Sequence, residues 1–132
     1  MAAPALRRLV GDGDRELAGV RRSPRRGVVY WVALDPALGT EIRKTRPAVV
    51  ISNDSCNHYG SRVVVLPMTS NVDSLYPGEA RIEVRGAPAR VLGDQIRSID
   101  KRRLRSRIGT LTKQELLSVE NAVQITLDLL PT

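Results

Sequence analysis

From Gly27 onward the chain is written in short apolar blocks separated by turn residues. Val28-Val29-Tyr30-Trp31-Val32, Val49-Val50-Ile51 and Val63-Val64-Val65-Leu66 are dense β-branched runs, each followed by a polar or proline-containing turn. This pattern predicts buried strands over 28–32, 47–52 and 62–67. Arg81-Ile82-Glu83-Val84 alternates polar with apolar and predicts a half-buried strand. Arg90-Val91-Leu92-Gly93, continued by Gln95-Ile96-Arg97, predicts a further strand with a kink at Gly93. Residues 98–105 read as a basic turn or short helix, and Ile108-Gly109-Thr110-Leu111 as a last short strand. Cys56 and His58 fall in what reads as a turn after the second strand.

The period then changes. Thr112 with Glu115 three residues later is a capping-box signature. Leu116, Val119, Val123, Leu127 and Leu130 recur at helical steps, which predicts one stripe packed on the sheet and an end at Pro131. Five or more short strands with one C-terminal helix predict a mainly β fold, a small and strongly bent sheet or barrel. Residues 1–24 carry glycines and arginines without sustained periodicity, so they read as a flexible basic extension to a domain spanning 25–132.

With 132 residues the chain suits one domain. The single cysteine excludes an intramolecular disulfide and suits a reducing cytoplasm. No apolar run approaches the roughly 20 residues of a membrane helix, and the N-terminus has no apolar signal-peptide core. Formal net charge is +7, which points to an anionic partner, nucleic acid or an acidic protein. Residues 1–26 hold seven arginines against three acids, so a basic tail supplies part of that charge.

His58 and Cys56 have no spaced partners, so no metal is expected. No glycine-rich phosphate loop or nucleophile elbow is present, and no cofactor is expected. What remains is Arg, Thr, Ser, Glu and Gln, a set suited to cleaving RNA, whose 2′-hydroxyl supplies the nucleophile. Arg46 lies at the entrance of the second strand, and Thr69 and Ser70 at the exit of the third. Antiparallel pairing brings them to one rim, where a guanidinium and a hydroxyl can hold a phosphate. Arg46 also reads as an ordinary exposed charge at a strand start. The run Arg97, Lys101, Arg102, Arg103, Arg105 and Arg107 reads equally as a phosphate track, a solvated face or part of a protein interface. With few aromatic residues, base stacking is confined to Tyr59 or Tyr76, while Trp31 reads as core or dimer interface.

An ordered set of segments resembles the MazF/PemK family of toxin endoribonucleases. They are Gly27-Val28-Val29-Tyr30-Trp31-Val32, Leu34-Asp35-Pro36, Gly39-Thr40-Glu41, the run Thr45 to Asn53 (TRPAVVISN), Pro67-Met68-Thr69-Ser70, Tyr76-Pro77, and Asp94 to Lys101 (DQIRSIDK). The resemblance implies an SH3-like barrel with a C-terminal helix, forming a homodimer. It implies metal-independent cleavage of single-stranded RNA to a 2′,3′-cyclic phosphate and a 5′-hydroxyl, in the cytoplasm. It also implies an acidic, MazE-like antitoxin as partner. By motif, Arg46 and Thr69 are the catalytic candidates. Glu41 orients Arg46 or contacts a base, Ser70 assists, and Asn53, Gln95, Arg97 and Ser98 support the site or bind RNA. The loop departs from the family pattern, with Ile42 in place of the usual glutamine and a glycine lost, which implies a stiffer loop and a different base preference. A CcdB-type gyrase poison and a plain nucleic-acid-binding module are the alternative functions on the same fold.

Overall fold

A computed structural model describes residues 23–34 and 45–129. The extension expected over 1–24 lies outside them apart from Ser23 and Pro24, and the loop that carries Glu41 lies outside them entirely. Among the described residues, seven strands and two α-helices follow in chain order. They are β1 (Val28–Ala33), β2 (Thr45–Val50), α1 (Asp54–Tyr59), β3 (Arg62–Thr69), β4 (Glu79–Val84), β5 (Ala87–Leu92), β6 (Arg97–Asp100), β7 (Leu104–Thr110) and α2 (Lys113–Leu127).

All pairings are antiparallel, in the order β4-β5-β3-β2-β1-β7, with β6 also on β3. Along β1 and β2 successive side chains serve different cores, as the two-residue period of a strand requires. Val28, Tyr30, Val32, Ala48 and Val50 join Val63, Val65, Ile99 and Leu104 in an inner cluster. Ile99 belongs to β6 and Leu104 to β7, at opposite edges of the sheet, so the sheet must curl to bring them together. Val29, Trp31, Val49, Leu66 and Met68 face the other way, into a second core with β4, β5 and α2. The fold is thus the curled half-barrel with a C-terminal helix that the resemblance implies, and Trp31 is core.

β3 changes partners along one edge. It pairs with β6 over residues 62–65 and with β5 at Met68 and Thr69. Pro67 lies between the two stretches, so its missing N–H leaves no ladder bond unmade on that edge.

Several expected elements are corrected. The turn after the second strand is the helix α1, capped by the Asn53 side chain, which accepts from Ser55 N at 2.7 Å. Its one buried residue is Asn57, which bonds the Ser52 hydroxyl, donates to Ser52 O at 2.9 Å and pins the helix to the sheet. Cys56 and His58 are exposed residues of that helix. The expected kink at Gly93 is a break: a 3₁₀ turn (Gly93–Gln95) separates β5 from β6. The basic segment 98–105 is no single turn or helix. It holds the end of β6, a 3₁₀ turn (Lys101–Arg103) and the start of β7.

Gly93 is required by close approach, because a Cβ there would strike the Gly78 carbonyl oxygen. Gly93 N donates to that carbonyl at 3.0 Å, and Thr126 of α2 reaches it as well. Helix α2 carries the expected capping box between Thr112 and Glu115. Its buried face is Val119 and Ala122, with Leu116 and Val123 partly covered. Leu127 stands 45% exposed, off the expected stripe, because the helix terminates there. Asp128, left-handed at φ 57°, ends the helix before Pro131 is reached.

Candidate functional site

Arg46 is the second residue of β2, inside the strand and opposite Val32 of β1. It is exposed, and no described residue pairs with its guanidinium. Val32, opposite it, and Ala48, two residues along, both point into the inner cluster, so Arg46 projects from that same face, near the start of β2. The β2–β3 ladder pairs Ala48 with Pro67 and Val49 with Leu66. Carried two residues further, this register sets Thr69 across from Arg46 on the same face.

Thr69 ends β3 half-buried, and its Oγ1 accepts from Asn71 N at 3.2 Å. Accepting from the backbone leaves the hydroxyl proton to donate outward. Ser70 follows directly, also half-buried. Thr69 stands opposite Arg90 of β5, a position the sequence reading passed over. The Arg90 Nη1 donates to Ser74 O at 2.8 Å, and Nε lies 3.5 Å from Glu79 Oε1, an ion pair without hydrogen-bond geometry. Arg90 thereby ties the loop after β3 to the strand beside Thr69.

The other candidates are distributed. Arg97 pairs with Val65, so it shares the Thr69 face but sits four residues back along β3. Ser98 points to the other side, where its hydroxyl and carbonyl accept from Arg62, each at 2.8 Å. Gln95 closes the 3₁₀ turn, exposed. Asn53 lies past the far end of β2 from Arg46, and its side chain is spent on capping α1. Glu41 lies outside the described residues.

Arg97 and Ser98 also line a cleft of about 430 Å³ with Arg62, Ile99, Asp100, Arg102 and Arg103. Asp100 accepts from Arg102 N, Nε and Nη2, and these bonds hold its carboxyl down at about 2. Arg103 Nη1 donates to Ala33 O at 3.0 Å and Arg105 Nη1 to Arg102 O at 2.7 Å. Part of the basic run therefore ties down backbone carbonyls, which are neutral, so the positive charge of this surface remains. Among the described residues no group of three or more His, Cys, Asp or Glu could hold a metal. No helix among them is long and apolar enough to cross a membrane.

The family described as "PemK-like, MazF-like toxin of type II toxin-antitoxin system" matches residues 25–127. The chain is 38% identical over 114 residues to endoribonuclease MazF9 of Mycobacterium tuberculosis, covering 80% of this chain and 97% of that one. It is 34% identical over 110 residues to endoribonuclease MazF of Staphylococcus epidermidis, covering 80% and 92%. Among solved structures, the MazE–MazF complex of Deinococcus radiodurans superposes with a TM-score of 0.71 at 27% identity, covering 83% of this chain and 99% of that one. A mycobacterial endoribonuclease in complex with its cognate antitoxin shares the fold, with a TM-score of 0.69 at 22% identity and coverage of 83% and 100%. The chain belongs to the PemK-like, MazF-like toxin family.

Proposed function

We propose that this chain is the toxin of a type II toxin–antitoxin pair and an endoribonuclease that cuts single-stranded RNA without a metal. The observation that carries the reading is the β2–β3 register, which, carried two residues beyond its last pair, favours Arg46, without a partner among the described residues, and Thr69 on one face. The relatives' names, both endoribonucleases, support the activity.

The 2′-hydroxyl attacks the adjacent phosphorus as the bond to the 5′ oxygen breaks. The 2′ proton is lost, the leaving oxygen gains one, and the products are a 2′,3′-cyclic phosphate and a 5′-hydroxyl. Thr69 donates to a phosphate oxygen, and Arg46 stabilises the charge that builds on the phosphorane-like transition state. Arg46 does not act as the base, because a guanidinium does not give up its proton below about pH 12. Ser70 assists from beside Thr69. Arg97 and Gln95 contact RNA away from the cut, and Glu41 orients Arg46 or reads a base. Asn53 and Ser98 act indirectly, by fixing α1 and Arg62.

The partners are single-stranded RNA, a second copy of the chain in a homodimer, and an acidic antitoxin that covers the basic surface, all in the cytoplasm. Solved complexes of MazE with MazF support the antitoxin. The gyrase-poison and binding-module alternatives gain no support from the relatives. Metal-free cleavage of RNA by the wild type, lost in Arg46→Ala, tests the reading.

A further inference from the structure

Tyr76 is 62% exposed and its neighbour Leu75 57% exposed, on the loop that begins directly after Thr69 and Ser70. A solvent-exposed aromatic on a loop is ordinarily loose, because nothing offsets the entropy of ordering it. Tyr76 is instead held from below. Its backbone N donates to Glu79 Oε1 at 2.9 Å, and the carbonyl of Ser74 accepts from Arg90 at 2.8 Å. The Arg90 guanidinium carbon lies 6.0 Å from the ring centroid, at the outer end of cation–π range. The Arg90 and Glu79 side chains are only 15% and 12% exposed. Arg90 is itself the cross-strand partner of Thr69, so the two strands that carry them run about 5 Å apart.

We propose that Tyr76 is a stacking platform for one RNA base close to the cleaved phosphate, and that Arg90 is the residue that positions it. The inference rests on the ribonuclease reading for its substrate. One ring face rests towards Arg90 and most of the residue is open to solvent, an arrangement that suits a flat, uncharged ligand face. Every base offers such a face, so the platform orders the strand and leaves base identity to polar contacts elsewhere. Arg90 does two things through one side chain: it fixes the ring and keeps that ring at a set offset from Thr69.

The test uses the full chain and a short single-stranded DNA copy of the RNA, uncleavable because it lacks every 2′-hydroxyl, with one base removed at each position in turn. In the wild type, one abasic position should weaken binding by about tenfold or more. Tyr76→Ala should weaken binding of the complete strand by a similar factor and erase the penalty at that one position. Arg90→Ala should reproduce this loss, whereas Tyr76→Phe and Tyr76→Trp should bind as the wild type does. An undiminished abasic penalty in Tyr76→Ala overturns the proposal, and so does failure of Tyr76→Phe to restore binding. Cleavage of the all-ribose strand is scored separately. A wild type that binds this series but cuts nothing strikes the ribonuclease reading, while the abasic penalties still decide the role of Tyr76.

Discussion

Thr69 and Arg90 stand directly opposite each other on β3 and β5, at the point where β3 has exchanged β6 for a new neighbour. That pairing joins the rim of the half-barrel to the β4–β5 hairpin. Across it, the hydroxyl proposed to hold the phosphate is coupled to the loop that presents Tyr76.

The Thr69 hydroxyl accepts from Asn71 N, which leaves its proton free to donate. Thr69→Val removes the outward donor while keeping the shape, so turnover on RNA should fall by about a hundredfold. Thr69→Ser keeps the hydroxyl and should retain most of the rate. Single-turnover cleavage of a labelled RNA checks both. Equal activity in Thr69→Val and the wild type would remove Thr69 from the reaction.

Asn57 is fully buried, and the Ser52 hydroxyl it bonds also accepts from Val64 N at 3.0 Å. Asn57→Ala leaves Ser52 without that partner and opens a polar gap under α1. Urea unfolding should show a loss of about 1–3 kcal/mol, with RNA cleavage retained by the folded fraction.

Gly93→Ala places a methyl group against the Gly78 carbonyl oxygen, a backbone atom held in turn by Thr126. The hairpin base and α2 must separate, so stability should fall by roughly 1–3 kcal/mol. Thermal unfolding of the two proteins measures it.

Asp100 has its carboxyl lowered from 3.8 to about 2 by the bonds from Arg102. A carboxyl depressed on folding contributes stability that is fully present above its unfolded value and is lost as pH falls towards 2. The turn at Lys101–Arg103 should therefore loosen only in that acid window. In Arg102→Ala the Asp100 titration, followed by carboxyl NMR, should move up towards 3.8.

The parts of this molecule that a reader of the sequence can recover are those where apolar side chains repeat. β1, β2 and β3 show as β-branched runs and α2 shows by its capping box. The Arg46–Thr69 rim follows from antiparallel pairing of two such runs. Helix α1 was not legible, because its only buried residue is a polar Asn57 and hydrophobic periodicity is silent there. Strand β6 and the first half of β7 were obscured because their apolar positions, Ile99 and Leu104, are separated by a 3₁₀ turn and surrounded by arginines, whereas the end of β7 showed in residues 108–111. Asn53 and Ser98 read from the sequence as groups that support the site or bind RNA; in the fold Asn53 caps α1 and Ser98 accepts from Arg62. Arg90 could not be found from the sequence, since its place beside Thr69 depends on a strand pairing that crosses the β4 loop.

Arg46 is exposed and makes no described contact, so Arg46→Ala should fold with a stability within about 0.5 kcal/mol of the wild type. The measurement to make is cleavage of a long single-stranded RNA in excess EDTA, with the wild type and Arg46→Ala side by side. Discrete wild-type fragments ending in 2′,3′-cyclic phosphate, with none from the folded mutant, are the predicted result. Intact RNA with the wild type, or equal cutting by both proteins, would contradict an arginine-assisted, metal-free ribonuclease.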